Sequence, residues 1–134
     1  MKQQAKAASW TAMFVVVTVG GALAADEGVP DKGLTNKLEV IKAGTEHEEC
    51  FRLEQGDSVD YSFESTRAVY FNIHYHDANR VVEPVKLPNA LYGSNTYNAT
   101  VAQDYCMMWE NQGKVDAKLQ YGFRLSGKSV DTLR

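Results

Sequence analysis

Hydrophobic and polar residues alternate along most of this chain. From Ala68 to His76, Val69, Phe71, Ile73 and Tyr75 fall on one face while Tyr70, Asn72, His74 and His76 fall on the other. That is the period of a half-buried strand. The same rule groups Val59, Tyr61 and Phe63, and it sets Val115, Ala117, Leu119, Tyr121, Phe123 and Leu125 opposite Lys114, Asp116, Lys118, Gln120 and Arg124. Leu38 to Ala43, Glu48 to Leu53, Arg80 to Leu87, Tyr97 to Ala102 and Tyr105 to Trp109 read as further strands, about eight short ones in all. Between them, Gly56-Asp57, Asp77-Ala78-Asn79, Gly93-Ser94-Asn95 and Asn111-Gln112-Gly113 supply residues that tolerate tight or left-handed turns. No helical stripe of useful length competes, so the pattern predicts an all-β fold, an antiparallel β-sandwich of jelly-roll type.

The first two dozen residues follow a different pattern. Lys2 and Lys6 precede an apolar run from Trp10 to Val19, and Ala22-Leu23-Ala24 forms a small-x-small cleavage signal, the three parts of a secretory signal peptide. The run falls short of the roughly 20 residues that span a bilayer, and Gly20-Gly21 interrupts it, so no membrane span is expected after cleavage. The expected layout is a signal peptide over 1–24, an extended lead-in over 25–36, one β-sandwich domain over 37–126 and a flexible tail over 127–134. The mature part is the size of a single domain, periplasmic or secreted.

Charge narrows the partners. Loss of Lys2 and Lys6 with the signal takes the formal net charge from −3 to −5, which leaves no electrostatic footprint for nucleic acid or an anionic membrane. Both cysteines, Cys50 and Cys106, lie in the exported part, where an oxidising compartment favours pairing. A disulfide between the two layers is expected. Closing a loop of this length restricts the unfolded chain by about 4 kcal/mol in the entropic account.

Three blocks carry a family resemblance: Glu48-Glu49-Cys50-Phe51, the Gly56-Asp57 turn before an alternating strand, and Tyr105-Cys106 with Trp109 and Asn111 following. In this order they resemble the GOLD domain, the β-sandwich of Golgi-dynamics proteins and of the lumenal part of the p24 cargo receptors, over about residues 38–125. The resemblance implies a disulfide-bonded sandwich acting as a non-catalytic interaction domain, an argument by analogy. Its ligand is expected to be another protein, with a carbohydrate as the alternative.

Two sets of residues are candidates for that binding. Tyr70, Tyr92, Tyr97 and Trp109 offer apolar area with a polar edge, suited to a protein anchor patch or a sugar ring, although strand aromatics also build cores. His74 and His76, at i and i+2, share a strand face and are spaced to share one copper or zinc ion, with His47 or a methionine of Met107-Met108 as third ligand. The competing reading makes the His-x-His pair ordinary solvent-face decoration.

Enzyme chemistry is not expected. The cysteines are committed, no nucleophile elbow is present, and adjacent Glu48 and Glu49 point to opposite faces of a strand rather than pairing across a glycosidic bond. No glycine loop for phosphate is present either, and no resident cofactor is expected.

Overall fold

The computed structural model describes residues 34–131. The expected signal peptide, most of the lead-in and the last three residues of the tail lie outside them. The described chain is all-β and antiparallel, with one disulfide, Cys50–Cys106. Its strands are β1 (Lys37–Ile41), β2 (Glu46–Leu53), β3 (Ser58–Asp77), β4 (Arg80–Asn98), β5 (Gln103–Glu110) and β6 (Ala117–Ser126), followed by one turn of helix, α1 (Lys128–Asp131).

The long third strand organises the sheet. Its first part, Ser58 to Ser65, pairs with β6, which in turn carries β1; its second part, Tyr70 to Tyr75, pairs with β5, which carries β2. Strand β4 runs beside β3 through both parts. The result is one curled sheet ordered β1-β6-β3-β5-β2, with β4 added along β3. The curl turns one half over the other, and the inward faces meet in an aromatic core. Trp109 of β5 lies 4.6 Å from Tyr121 of β6, Phe51 of β2 lies 5.6 Å from Phe123 of β6, and Phe63 and Phe71 approach to 4.7 Å across the bend. Val59, Tyr61, Phe63, Val69, Phe71, Ile73, Leu119 and Tyr121 are buried, as their alternation predicts. Val115, expected on the same face, precedes β6 and is 55% exposed.

The bend itself is a polar interruption in β3. Between Glu64 and Val69 that strand advances five residues while β4 advances only from Tyr92 to Ala90, so a bulge absorbs the surplus and redirects the strand. Thr66, Arg67 and Ala68 are exposed there, and Thr66 Oγ1 accepts the Lys118 backbone N–H at 2.9 Å. On β4, two further register shifts fall beside Pro84 and Pro88, residues that sheets accept only at edges and bulges.

Two expectations therefore change. About eight short strands become six, because β3 and β4 run continuously through the bend and each takes up two of the expected strands. Gly93-Ser94-Asn95 is not a turn but the middle of β4, paired with Ser62, Phe63 and Tyr61. Gly93 is required there by packing: a Cβ would stand 2.5 Å from Phe63 Cε1 and 3.1 Å from Leu87 Cδ1. The other three expected turns are turns or loops. Gly56 has φ 89°, and the Asp57 side chain accepts the Glu54 N–H at 2.9 Å. The tail is tied at its start, since the Ser129 hydroxyl donates to that same Asp57 carboxylate.

The disulfide also differs from expectation. Cys50 and Cys106 are direct register partners on adjacent strands β2 and β5, with Cα atoms 4.0 Å apart. It therefore staples two neighbouring strands on the outward face of one half instead of joining the two layers. Trp109 lies three residues from Cys106 and thus on the opposite, inward face.

Gly93→Ala is expected to destabilise the fold by about 1–3 kcal/mol through overpacking against Phe63. Denaturant melts of G93A, and of G93A with Phe63→Leu, check this. The second variant should recover part of the loss, because it removes the ring edge that the new methyl meets.

Candidate functional site

Three surfaces of the sandwich contain the chemistry-bearing side chains. The first is the outward face of the β2-β5-β3 half. There Cys50 and Cys106 sit beside Glu48, and the Glu48 carboxylate and both sulfurs lie within 4.8 Å of one another. Next to Cys106 in register on β3 is His74, whose Nε2 lies 3.6 Å from Glu48 Oε1. His74 was expected in solvent, yet it and Asn72 are 5% and 1% exposed. The β4 register shift between Tyr75 and Ile73 explains this by bringing Glu83 over the same face. Glu83 Oε1 accepts from Tyr70 Oη at 2.8 Å and from Asn72 Nδ2 at 3.1 Å, and Lys86 Nζ lies 3.2 Å from Glu83 Oε2.

This network sets the state of His74. Because Asn72 donates its Nδ2 to Glu83, its Oδ1 faces His74 Nδ1 at 2.8 Å. Nδ1 therefore carries the proton, and Nε2 presents its lone pair toward Glu48. Burial pushes the imidazole below its ordinary value against the pull of the Glu48 carboxylate, so the contact with Glu48 is not an ion pair at neutral pH. His76 follows on the same face, its ring 5.4 Å from that of His74, and is exposed.

The second surface is interior. His47, expected as a third metal ligand beside His74, faces inward from β2. Its Nε2 lies 2.9 Å from Tyr121 Oη, and its ring stacks 6.0 Å from Trp109. It cannot reach the outward face, because β2 alternates and His47 is one residue out of phase with Glu48. Met107 is likewise buried in the core, while Met108, opposite Asn72, points outward. Tyr121 Oη donates to Glu49 Oε2 at 2.7 Å, and Lys37 Nζ donates to the same oxygen at 2.8 Å. This polar chain closes the side of the sandwich where β1 and β2 face each other. Burial raises the Glu49 pKa, but the bonds from Lys37 and Tyr121 outweigh it and hold the carboxyl below its ordinary 4.5. Glu48 and Glu49 do point to opposite faces, one exposed and one half-buried.

The third surface is an open groove of about 730 Å³ on the outward face of the β1-β6-β3 half. Its walls and floor include Leu38 and Val40 of β1, Lys118 and Gln120 of β6, and Glu64 and Thr66 of β3. Leu38 and Val40 are 75% and 60% exposed. Register continues the row Leu38, Gln120, Glu64 onto Tyr92 of β4, itself 77% exposed.

The four aromatics considered as a ligand surface do not converge. Trp109 is a core residue at 1% exposure. Tyr97 packs 5.6 Å from the buried Tyr105, Tyr70 is bound to Glu83 on the outward face of the other half, and Tyr92 alone stands free beside the groove. The groove was not foreseen. Its sequence signal is the exposed apolar pair Leu38 and Val40 on the first strand, but its other walls come from strands far away in the chain.

No family model matches the chain, and no curated protein sequence matches it. Among solved structures it is similar to the pre-peptidase C-terminal domain of a collagenase from Bacillus anthracis, with 12% identity and a TM-score of 0.54, over 68% of this chain and 89% of that one. It is also similar to the Yersinia pseudotuberculosis-derived mitogen, with 9% identity and a TM-score of 0.54, over 71% and 87% of the two chains. At these identities the likeness is one of fold, and neither structure is a GOLD domain. The chain is thus a β-sandwich-like domain with a single disulfide.

Two outcomes follow from these placements. Trp109→Ala is expected to lose about 3–5 kcal/mol, whereas Tyr92→Ala should stay within about 0.5 kcal/mol of the parent; equilibrium unfolding of both variants measures the contrast. For Glu49, a depressed folded-state pKa means stability that is present above 4.5 and lost as pH falls through the depressed value. Thermal melts of wild type and Glu49→Gln should therefore differ most near neutral pH and converge on acidification.

Proposed function

We propose that this chain is a non-catalytic binding module that acts outside the cytosol and recognises a protein partner through the β1-β6-β3 groove. The observation that carries the reading is the pair Leu38 and Val40, which share one face of β1 and stand exposed beside an open groove. Exposed apolar residues bordering a cleft with polar groups at its rim are characteristic of interaction sites. Glu64, Lys118 and Gln120 supply charges and an amide for hydrogen bonds at the rim.

Other observations support the same reading. The disulfide suits an oxidising compartment, in keeping with the signal-peptide pattern of the first 24 residues. No helix among the described residues is long and apolar enough to cross a membrane. The nucleophilic hydroxyl, thiol and base arrangements of covalent catalysis were not expected from the sequence, and His47 and His74 are hydrogen-bonded to Tyr121 and Asn72. Both similar folds are β-rich, and one is the C-terminal domain of a larger enzyme by its name. The GOLD resemblance and this reading agree on an interaction role.

A Leu38→Asp/Val40→Asp variant tests the proposal, with a photo-crosslinker placed at Gln120 and the natural exported fraction as bait. Wild type should crosslink a defined protein, and the variant should lose it at unchanged melting temperature. Equal crosslinking by both would remove the groove from the reading. A hit on a glycan array that Tyr92→Ala abolishes would replace the protein partner with a carbohydrate.

A further inference from the structure

The outward face of the β2-β5-β3 half brings together four side chains with metal-binding atoms from three neighbouring strands. Glu48 and Cys50 come from β2, Cys106 from β5 and His74 from β3. Cys50 is paired in register with Cys106, and Cys106 with His74, so the donors lie along one cross-strand row with Glu48 beside it. The Glu48 carboxylate and the two sulfurs are within 4.8 Å of one another, and His74 Nε2 is 3.6 Å from Glu48 Oε1.

His74 is oriented as metal-binding histidines commonly are. Its Nδ1–H is held by Asn72, which is itself held by Glu83, the outer support that fixes tautomer and ring direction. Nε2 is left pointing at a Glu48 carboxylate oxygen 3.6 Å away, so a nitrogen donor and an oxygen donor converge on one point where a cation can bridge them. In the oxidised protein the sulfurs are joined and are poor ligands. Freed as thiolates on a row next to His74 and Glu48, they complete a donor set of two sulfurs, one nitrogen and one oxygen. Zinc takes such mixed sets tetrahedrally, at about 2.3 Å from sulfur and about 2.0–2.1 Å from imidazole nitrogen. Calcium and magnesium prefer oxygen alone, and copper(II) would be reduced by the thiolates.

We propose that the Cys50–Cys106 disulfide masks a zinc site, and that its reduction assembles Cys50 Sγ, Cys106 Sγ, His74 Nε2 and the Glu48 carboxylate around one Zn²⁺. The reductant is a dithiol. It delivers two electrons and two protons to the S–S bond, leaves as its own cyclic disulfide, and the two new thiols release two protons as they bind Zn²⁺. Cys50 is exposed and Cys106 partly so, which gives the reductant access. The site is independent of the groove on the other half, so either proposal stands if the other fails.

The experiment uses the full chain, reduced anaerobically with a phosphine that does not itself bind metal, and titrated with Co²⁺ and then Zn²⁺. Wild type should give a thiolate-to-cobalt absorption band at one equivalent that zinc abolishes, and the oxidised protein should give none. His74→Ala and Glu48→Ala should weaken binding at least about tenfold, and Asn72→Ala, which releases the imidazole, by about 10–100-fold. Circular dichroism runs in parallel. If the reduced apo chain has lost its sheet, zinc should restore it, and the Cys50→Ser/Cys106→Ser variant should show no such rescue. Absence of the cobalt band, equal affinity in the His74 and Glu48 variants, or a reduced chain that zinc does not refold would each overturn the proposal.

Discussion

The contact between Trp109 and Tyr121, with Phe63 and Phe71 packed around it, is the interaction on which the two halves of the molecule depend. Hydrogen bonding alone would leave β3 and β4 as a long ribbon with two pairs of strands at opposite ends. Burial of the aromatic faces drives that ribbon to fold over, and the bulge between Glu64 and Val69 is where the backbone yields. An aromatic ring buried in such a cluster contributes both transfer free energy and ring-ring geometry. The polar closure of Lys37, Glu49, Tyr121 and His47 is a consequence of the same fold-over, because it occupies the side where β1 and β2, the two outer strands of the described sheet, face each other.

Much of this architecture could be read from alternation. The inward residues of β3 and β6 follow the period of two without error from Val59 to Phe63 and from Ala117 to Tyr121, because those stretches lie between a dry interior and water. The number of strands could not be read this way. Thr66, Arg67 and Ala68 interrupt the alternation as the gap between two strands would, and in space they form a bulge within one strand. Gly93 misleads for the opposite reason. Its want of a side chain serves Phe63, thirty residues earlier, and nothing local announces that.

The candidate sites were legible only as far as strand phase carries. The pairing of Cys50 with Cys106 was foreseen, but not that they would be neighbours in one sheet, which depends on the register of β2 against β5. Phase correctly separated Glu48 from Glu49, and by the same rule it should have separated His47 from the outward histidines. Burial of His74 and Asn72 on the nominal solvent face was hidden, since it depends on a one-residue shift in β4 that swings Glu83 across them. Of the two roles open to Trp109 in sequence, surface anchor or core ring, the core one holds, since Tyr105 and Met107 share its inward face. The groove was invisible because its walls belong to the first, third and last strands.

That last pairing has a bearing on how the polypeptide matures. Among the described residues strand β1 pairs with β6 alone, from Lys37 against Tyr121 to Ile41 against Ala117, and the opening part of β3 borders β6 as well. Assembly therefore waits for the far end of the chain, and contacts so distant in sequence slow folding. Until the segment ending at Ser126 has joined the fold, the polypeptide is without the strand that both β1 and the opening part of β3 pair with, so the two halves close late.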